Sequence, residues 1–398
     1  MGNVEIRVAA ADEFEEMIIF DGLAFGQAWD PKLHDAAKAT LEFDRFRVAF
    51  DGDTLVGVGG SYGQELTVPG GAQIKAGGVT WIAVAPTHRR QGLLTSLMAE
   101  LHDDIDAHHE PIAMLTASEG GIYERFGYGI ASSLRVVEID RRRVQVREQF
   151  RPPPGTVRMT TLDDPALAAI FDRYRRGRNG EINRTTTGDA LAKAHHGAGV
   201  SVAAHLDGFV SWTVNKNWNA GHPAHELTIV DLVAITPDAH AALWHTVLSV
   251  DLVGPIGSYR AVALDDALPY IVDDPRSIRT TNVNDMLWLH LRDVGAALRT
   301  RTYGVEDEMV IEVVLDDRGE QRAQRWRVTG GPEGATVEKA RKRPDLTMDR
   351  ASLGAIYLGG VRPTALARVN RIAGTADALR RADAFFMAER LPHCVTGF

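Results

Sequence analysis

Apolar and polar residues alternate along this chain with two different periods, and the places where the period changes outline its elements. Phe46-Arg47-Val48-Ala49-Phe50 and Leu55-Val56-Gly57-Val58 flank Asp51-Gly52-Asp53, which predicts a β-hairpin. Val79-Thr80-Trp81-Ile82-Ala83-Val84 is a nearly continuous apolar run and predicts a buried strand. The breaker-rich segment Ala85 to Gly92 follows, and from Leu93 to His102 the apolar residues recur at helical spacing. Another strand is predicted over Pro111 to Thr116. Arg151-Pro152-Pro153-Pro154-Gly155 cannot lie inside a helix or a central strand, so the chain is divided there.

Beyond that break the strand-turn-helix theme returns. Leu227 to Ala234 reads as a strand, and after Thr236-Pro237-Asp238 the stretch Ala241 to Leu248 reads as a helix. The last segment changes character. Met309 to Leu315 and Arg325 to Val328 are predicted strands around the turn Asp316-Asp317-Arg318-Gly319, and Asp345 to Asp349 precedes a helix ending at Gly359-Gly360. The boundaries are therefore set at residues 1–150, 151–285 and 286–398, three α/β or α+β units.

A strand entering a basic, glycine-containing turn that opens a helix is a device for holding anions. Unsatisfied backbone N–H groups and the positive end of the helix dipole converge there. Arg89 and Arg90 add charge, and Gly92 removes a side chain where phosphate oxygens would approach the backbone. The middle copy, around Ala239 and His240, offers neither an arginine pair nor a glycine, so it packs rather than binds.

Composition narrows the classes. With 398 residues, of which 44% are hydrophobic, the chain can bury more than one core. Its net charge of −9 argues against nucleic-acid partners and favours cationic ligands. The single cysteine, Cys394, excludes an intramolecular disulfide framework and a CxxC metal site, and no metal is expected. There is no N-terminal signal pattern and no apolar run near the about 18 residues of a membrane span, so the expected location is the cytoplasm, with no membrane partner. Met1-Gly2 lacks the serine or threonine that a myristoylation start requires.

The spacing Arg89-x-x-Gly92-x-Leu94 resembles the R/Q-x-x-G-x-G/A loop of GCN5-related N-acetyltransferases (GNATs), with Leu94 in the final small position. About thirty residues on, Ser118 to Tyr128 contains Tyr123-x-x-x-Gly127-Tyr128, similar to the tyrosine segment of that superfamily. A tyrosine hydroxyl, of ordinary pKa about 10, can protonate a departing thiolate. The tail from residue 286 resembles a sterol-carrier-protein-like domain, although an apolar α+β core accounts for the same residues. Taken together, the order of GNAT domain, degenerate GNAT-like copy and sterol-carrier-like tail resembles the enhanced intracellular survival (Eis) family of bacterial N-acetyltransferases. The residues that carry the likeness are Trp81 to Leu94, Ala117 to Gly129, Ala239 to Trp244, Met286 to Leu289 and the final Phe398.

That resemblance implies acetyl-CoA as co-substrate, contacted by Ile82, Ala83, Val84, Arg90, Gln91, Gly92, Leu93, Leu94, Thr95, Ser118 and Glu119. It implies Tyr123 as proton donor and the Phe398 carboxylate as proton acceptor, and places Phe25, Trp81 and Asp285 in the substrate region. It implies a homo-oligomer, a hexamer of paired trimers, that acetylates primary amines of aminoglycoside-like or lysine-type substrates. Two anionic contacts depart from the family pattern: Gln27 stands where an acid is expected, and Gly397 stands where another precedes the terminal residue. Weaker or narrower use of aminoglycosides is the consequence expected. Two alternatives remain open at this level: a non-catalytic lipid- or small-molecule-binding protein, and a protein lysine acetyltransferase.

Overall fold

The computed structural model describes residues 4–317 and 320–398. Arg318 and Gly319 of the expected turn, and the Met1-Gly2 start, lie outside the described residues. Chain order begins with β1 (Val4–Val8), α1 (Phe14–Ala24), α2 (His34–Lys38), β2 (Phe46–Asp51), β3 (Thr54–Thr67) and β4 (Gln73–Val84). Then follow α3 (Leu93–Ala107), β5 (Ile112–Thr116), β6 (Gly129–Ile130) and β7 (Ser133–Asp140). The predicted hairpin is β2–β3, paired from Phe46↔Gly60 to Asp51↔Thr54.

The first sheet runs β1-β2-β3-β4-β5, then the strand Leu287–Leu291, then β6. Its helices cover it because their apolar positions repeat at the helical period: Leu93, Leu97, Met98, Leu101 and Ile105 of α3 are all buried. Phe14, Met17 and Ile18 of α1 share a cluster with Phe46, Val58, Trp81 and Ala83, while Met98, Leu101 and Ile105 share another with Val79, Leu115 and Tyr123.

The chain does not change sheets at the proline run. β7 already belongs to the second sheet, whose order is Ile278–Asp285, β7, Val253–Val262, His225–Ala234, Gly208–Asn215, Ser201–His205 and Arg158–Thr160. Leu287–Leu291 then returns to pair with β5 and β6 in the first sheet. Cuts at 150 and 285 therefore each leave one strand on the wrong side. Edge pairing places these strands, and a proline run signals only where a sheet cannot continue.

The third sheet has the order Gly334–Lys339, Glu320–Gly331, Asp307–Asp317, Leu346–Asp349, Ile372–Gly374. It is not a separate bead. A Cβ at Gly129 would stand 1.8 Å from the Ala351 carbonyl oxygen, and one at Gly354 would stand 2.2 Å from that of Leu289, so the helix Arg350–Tyr357 lies directly on the first sheet. Inside this unit Arg301 is fully buried among the rings of Tyr303, Tyr357 and Phe386. Its guanidinium donates to the carbonyls of Tyr357 and Phe386, the negative ends of two helices.

The last eight residues leave this unit as an extended tail laid between the other two. His393 N–H donates to Asn179 O (2.9 Å), and the fully buried Glu181 carboxylate accepts from the N–H groups of Ile182, Val395 and Thr396 and from the Cys394 thiol. Glu181 is itself tied to the first domain, since Thr67 N–H donates to its carbonyl and Leu66 bridges Ile182. Burial, with Glu181 adjoining, holds the Cys394 thiol well above its ordinary pKa and so unreactive. Glu181→Ala should leave buried donors unsatisfied, lowering stability by about 3 kcal/mol. The sole cysteine should then become reactive toward a disulfide reagent under native conditions. Equal thiol reactivity in the variant and the parent would show that Glu181 does not hold the tail.

Candidate active site

The parallel partners β4 and β5 stay together only over Ala76↔Ile112, Gly77↔Ala113 and Gly78↔Met114. Past Gly78 the two part: β4 continues to Val84 and β5 to Thr116 without pairing, and the far edge of β5 is taken by Leu287–Leu291. A bulge drives the separation. Val58 pairs Ala83 and Gly60 pairs Thr80, so Trp81 and Ile82 together oppose Gly59, and Trp81 adopts φ 55°. A left-handed tryptophan costs about 1–3 kcal/mol, and packing holds it there: Trp81 stacks on Trp29 (5.8 Å) and meets Phe46 edge-on (6.0 Å). On the side away from β3 the backbone of Ile82 to Val84 thereby has no paired strand, leaving an opening with groups that an amide-bearing ligand could pair with.

At the far end of that opening stands the N-terminus of α3. Gly92 occupies the cap position at φ 86°, Arg90 sits at φ 62°, no side chain caps the first turn and no acid lies in it. Arg89, Arg90, Gln91, Gly92 and Thr95 are exposed, so donors and charge face outward together. Leu94, the departure from the small-residue pattern, directs its side chain into the cluster around Tyr123 and leaves the backbone face clear. The middle copy is closed by contrast: Thr236 Oγ1 accepts from Ala239 N–H (3.2 Å) and Asp238 stands in the first turn of Pro237–Leu248, where it would repel a phosphate.

Ser118 and Glu119 are exposed on the loop after β5, and Tyr123 behind them is 8% exposed. Burial, with the Glu119 charge adding to it, pushes the Tyr123 hydroxyl above its ordinary pKa and keeps it protonated, as a donor requires. Tyr123 meets Tyr128 edge-on at 6.2 Å, and Tyr128 Oη pairs with His102 Nε2 at 3.0 Å. His290 packs against both Tyr128 and His102, so the floor under Tyr123 is a buried polar group. His102 lies on the buried stripe of α3, a polar residue in an apolar register, which is the signal that would have pointed to it.

The tail delivers Phe398 to the fork. A Cβ at Gly78 would stand 2.9 Å from the Phe398 ring, with Gln64 beside it, so Gly78 leaves the space that the terminal ring fills. Gly78 is the last residue of β4 paired with β5, and Val79, pointing to the other face, shares the buried cluster of Tyr123. Tyr123 and the chain end thus approach the fork from opposite faces. Arg184 orients the last turn of the tail: it donates from Nε to Thr396 Oγ1 (3.2 Å) and holds both oxygens of Asp231 (2.8 and 3.0 Å).

The three expected substrate residues are dispersed. Asp285 accepts from the Trp288 indole, and Trp288 lies in the Tyr123 cluster. Trp81 is buried in the aromatic group under α1, and Phe25 stands 51% exposed at the end of that helix. The sequence reading missed Asp21, Trp29 and Tyr62 in the same aromatic group. Asp21 is buried, accepts from Trp29 Nε1 (3.0 Å) and has its pKa raised by burial, as does Tyr62. It also missed Glu181, Arg184 and Arg260, which hold or flank the tail.

Residues 5–131 match a family model described as an acetyltransferase (GNAT) domain, residues 173–299 match a second model of that description, and residues 294–395 match a sterol carrier protein domain. An uncharacterized N-acetyltransferase of Streptomyces avermitilis is 36% identical over 100% of both chains. The N-acetyltransferase Eis of Mycobacterium tuberculosis is 32% identical over 95% of each. The crystal structure of Eis1 from Mycobacterium abscessus is similar with a TM-score of 0.86 at 32% identity, covering 99% of this chain and 100% of that one. A GCN5-related N-acetyltransferase from Anabaena variabilis shares the fold, with a TM-score of 0.84 at 18% identity over 100% of both. Two GNAT domains followed by a sterol-carrier domain, together with relatives of this identity and coverage, make the chain a GNAT N-acetyltransferase of the Eis family.

Proposed function

We propose that the chain transfers the acetyl group of acetyl-CoA to a primary amine in one direct step, with Tyr123 as acid and the Phe398 carboxylate as base. The observation that carries this reading is the seat of Phe398 at Gly78, where β4 and β5 part. The thioester supplies the activated carbonyl. Residues Ile82 to Val84 offer backbone partners to the ligand's extended arm, and Arg90 to Thr95, with Gly92 at the cap, receive its pyrophosphate. Ser118 and Glu119 border the same opening.

The neutral amine forms its bond to the carbonyl carbon while the carbon–sulfur bond breaks. Tyr123 delivers its proton to the departing thiolate, and the proton released by nitrogen passes to the Phe398 carboxylate, directly or through one water. An α-carboxylate of ordinary pKa about 3.5 is a weak base for an ammonium near 10. Withdrawal of the carboxylate from bulk water with acetyl-CoA bound would narrow that difference.

Phe25, Trp81 and Asp285 are the proposed substrate contacts, and the acceptor class is aminoglycoside-like or lysine-type, including lysine side chains of proteins. The proposed assembly is a homohexamer, as the family resemblance implies. The packed interior around Arg301 favours a structural over a lipid-carrying role for the third domain.

Removing Phe398, or extending the chain beyond it, should abolish thiol release from acetyl-CoA across an amine panel while leaving the melting temperature near that of the parent. Gly78→Ala, whose methyl would meet the terminal ring, should lower kcat in the same direction. Full turnover by the shortened chain would rule out the base.

Tyr123→Phe should lower kcat by about 10²- to 10⁴-fold, with little change in KM for acetyl-CoA. Because the acid works protonated, activity should fall as pH rises through its pKa, and burial places that limb above the ordinary tyrosine value of about 10. An alkaline limb unaltered by Tyr123→Phe would assign the donor elsewhere.

A further inference from the structure

The strand Val253–Val262 leaves its ladder with β7 just beside the tail. Ser258 pairs Val137 and the next pair is Val262↔Arg135, so Tyr259, Arg260 and Ala261 bulge out opposite a single residue. The bulge is pinned by Ala261 N–H donating to Ser258 Oγ (3.1 Å). Bulges of this kind re-aim side chains, and this one aims Arg260 at the end of the chain. A Cβ at Gly397 would stand 2.0 Å from Arg260 Nη1 and 2.9 Å from Nη2. The guanidinium therefore fills the volume that a side chain at position 397 would take, one residue from the proposed base.

Arg260 is partly buried, its Nε is enclosed without a hydrogen-bond partner, and among the described residues it forms no ion pair. The neighbouring cation of the tail, Arg184, is by contrast held by both oxygens of Asp231. A guanidinium drawn out of water without an anion is unfavourable, and its planar fork is shaped for a carboxylate. We infer that Arg260 determines acceptor specificity by receiving a carboxylate carried by the amine substrate, so that a zwitterionic, lysine-type acceptor is preferred over a polycation. This rests on Phe398 marking the acceptor end of the crevice.

The test uses matched acceptors that differ only by the carboxylate: L-lysine against cadaverine, and L-ornithine against putrescine. In the full-length parent, kcat/KM should favour the carboxylate-bearing member of each pair by tenfold or more. Arg260→Ala should bring both ratios close to one, with the loss appearing in KM for lysine and ornithine, and Arg260→Lys should restore part of the preference. Melting temperatures of both variants report folding.

A parent that turns over neither amino acid, or prefers the diamines, overturns the inference. So does an Arg260→Ala variant that weakens both members of each pair equally. Failure of the underlying reading looks different: the chain lacking Phe398 would then retain turnover. If that chain is inactive and the ratios ignore Arg260, only the specificity assignment falls.

Discussion

The Glu181 carboxylate is the interaction on which the site depends. It collects the main chain of Val395 and Thr396 from the third domain and the N–H of Ile182 from the second, while its own carbonyl is held by Thr67 at the end of β3. Chain ends ordinarily fray, because a few terminal residues cannot offset the entropy of fixing them. Here a buried carboxylate holds the tail as an internal extended segment through the N–H groups of Val395 and Thr396 and the Cys394 thiol. The terminal ring can then rest at Gly78 without supporting itself, and a chain end becomes a group with a defined position.

Two copies of one architecture show how little separates a cofactor site from a scaffold. In both, a strand leads through a turn into a helix beside a parallel neighbour. In the first copy the turn ends in a left-handed glycine and the first helical turn is uncapped. In the second, threonine caps the helix and takes one of its donors, and an aspartate in the first turn would repel an anion. The difference is electrostatic and local, and the surrounding packing, centred on Trp244, is intact. The fold is common to both copies, while the anion-receiving features are present only in the first.

Much of this was legible in the sequence because short-range rules governed it. The hairpin over Asp51 to Asp53, the strand before Ala85, the helix from Leu93 and the contrast between Arg89-x-x-Gly92 and Thr236-Pro237-Asp238 all follow from period, turn chemistry and capping. Sheet membership was not legible, because the placement of β7 and Leu287–Leu291 is decided by edges formed by residues far away in the chain. The tail was read as important only through its resemblance to a family. Its clasp, Glu181, is an unremarkable acid between Gly180 and Ile182 until three domains bring it indoors. Arg260 is equally silent in sequence, since a bulge rather than a motif aims it.

On the proposed mechanism, using the Phe398 carboxylate as base would couple chemistry to the completeness of the fold. The fork between β4 and β5 lies within the first domain, and so does Tyr123, so the proposed acetyl-CoA seat would need little from the rest of the chain. The acceptor side is different: Phe398 reaches Gly78 only when the third domain has packed on the first sheet and the second domain has supplied Glu181, Arg184 and Arg260. A thioester held beside an unassembled base would be exposed to water without a productive partner. Under that mechanism, clasping the tail with buried hydrogen bonds would tie proton removal to the folded, three-domain state.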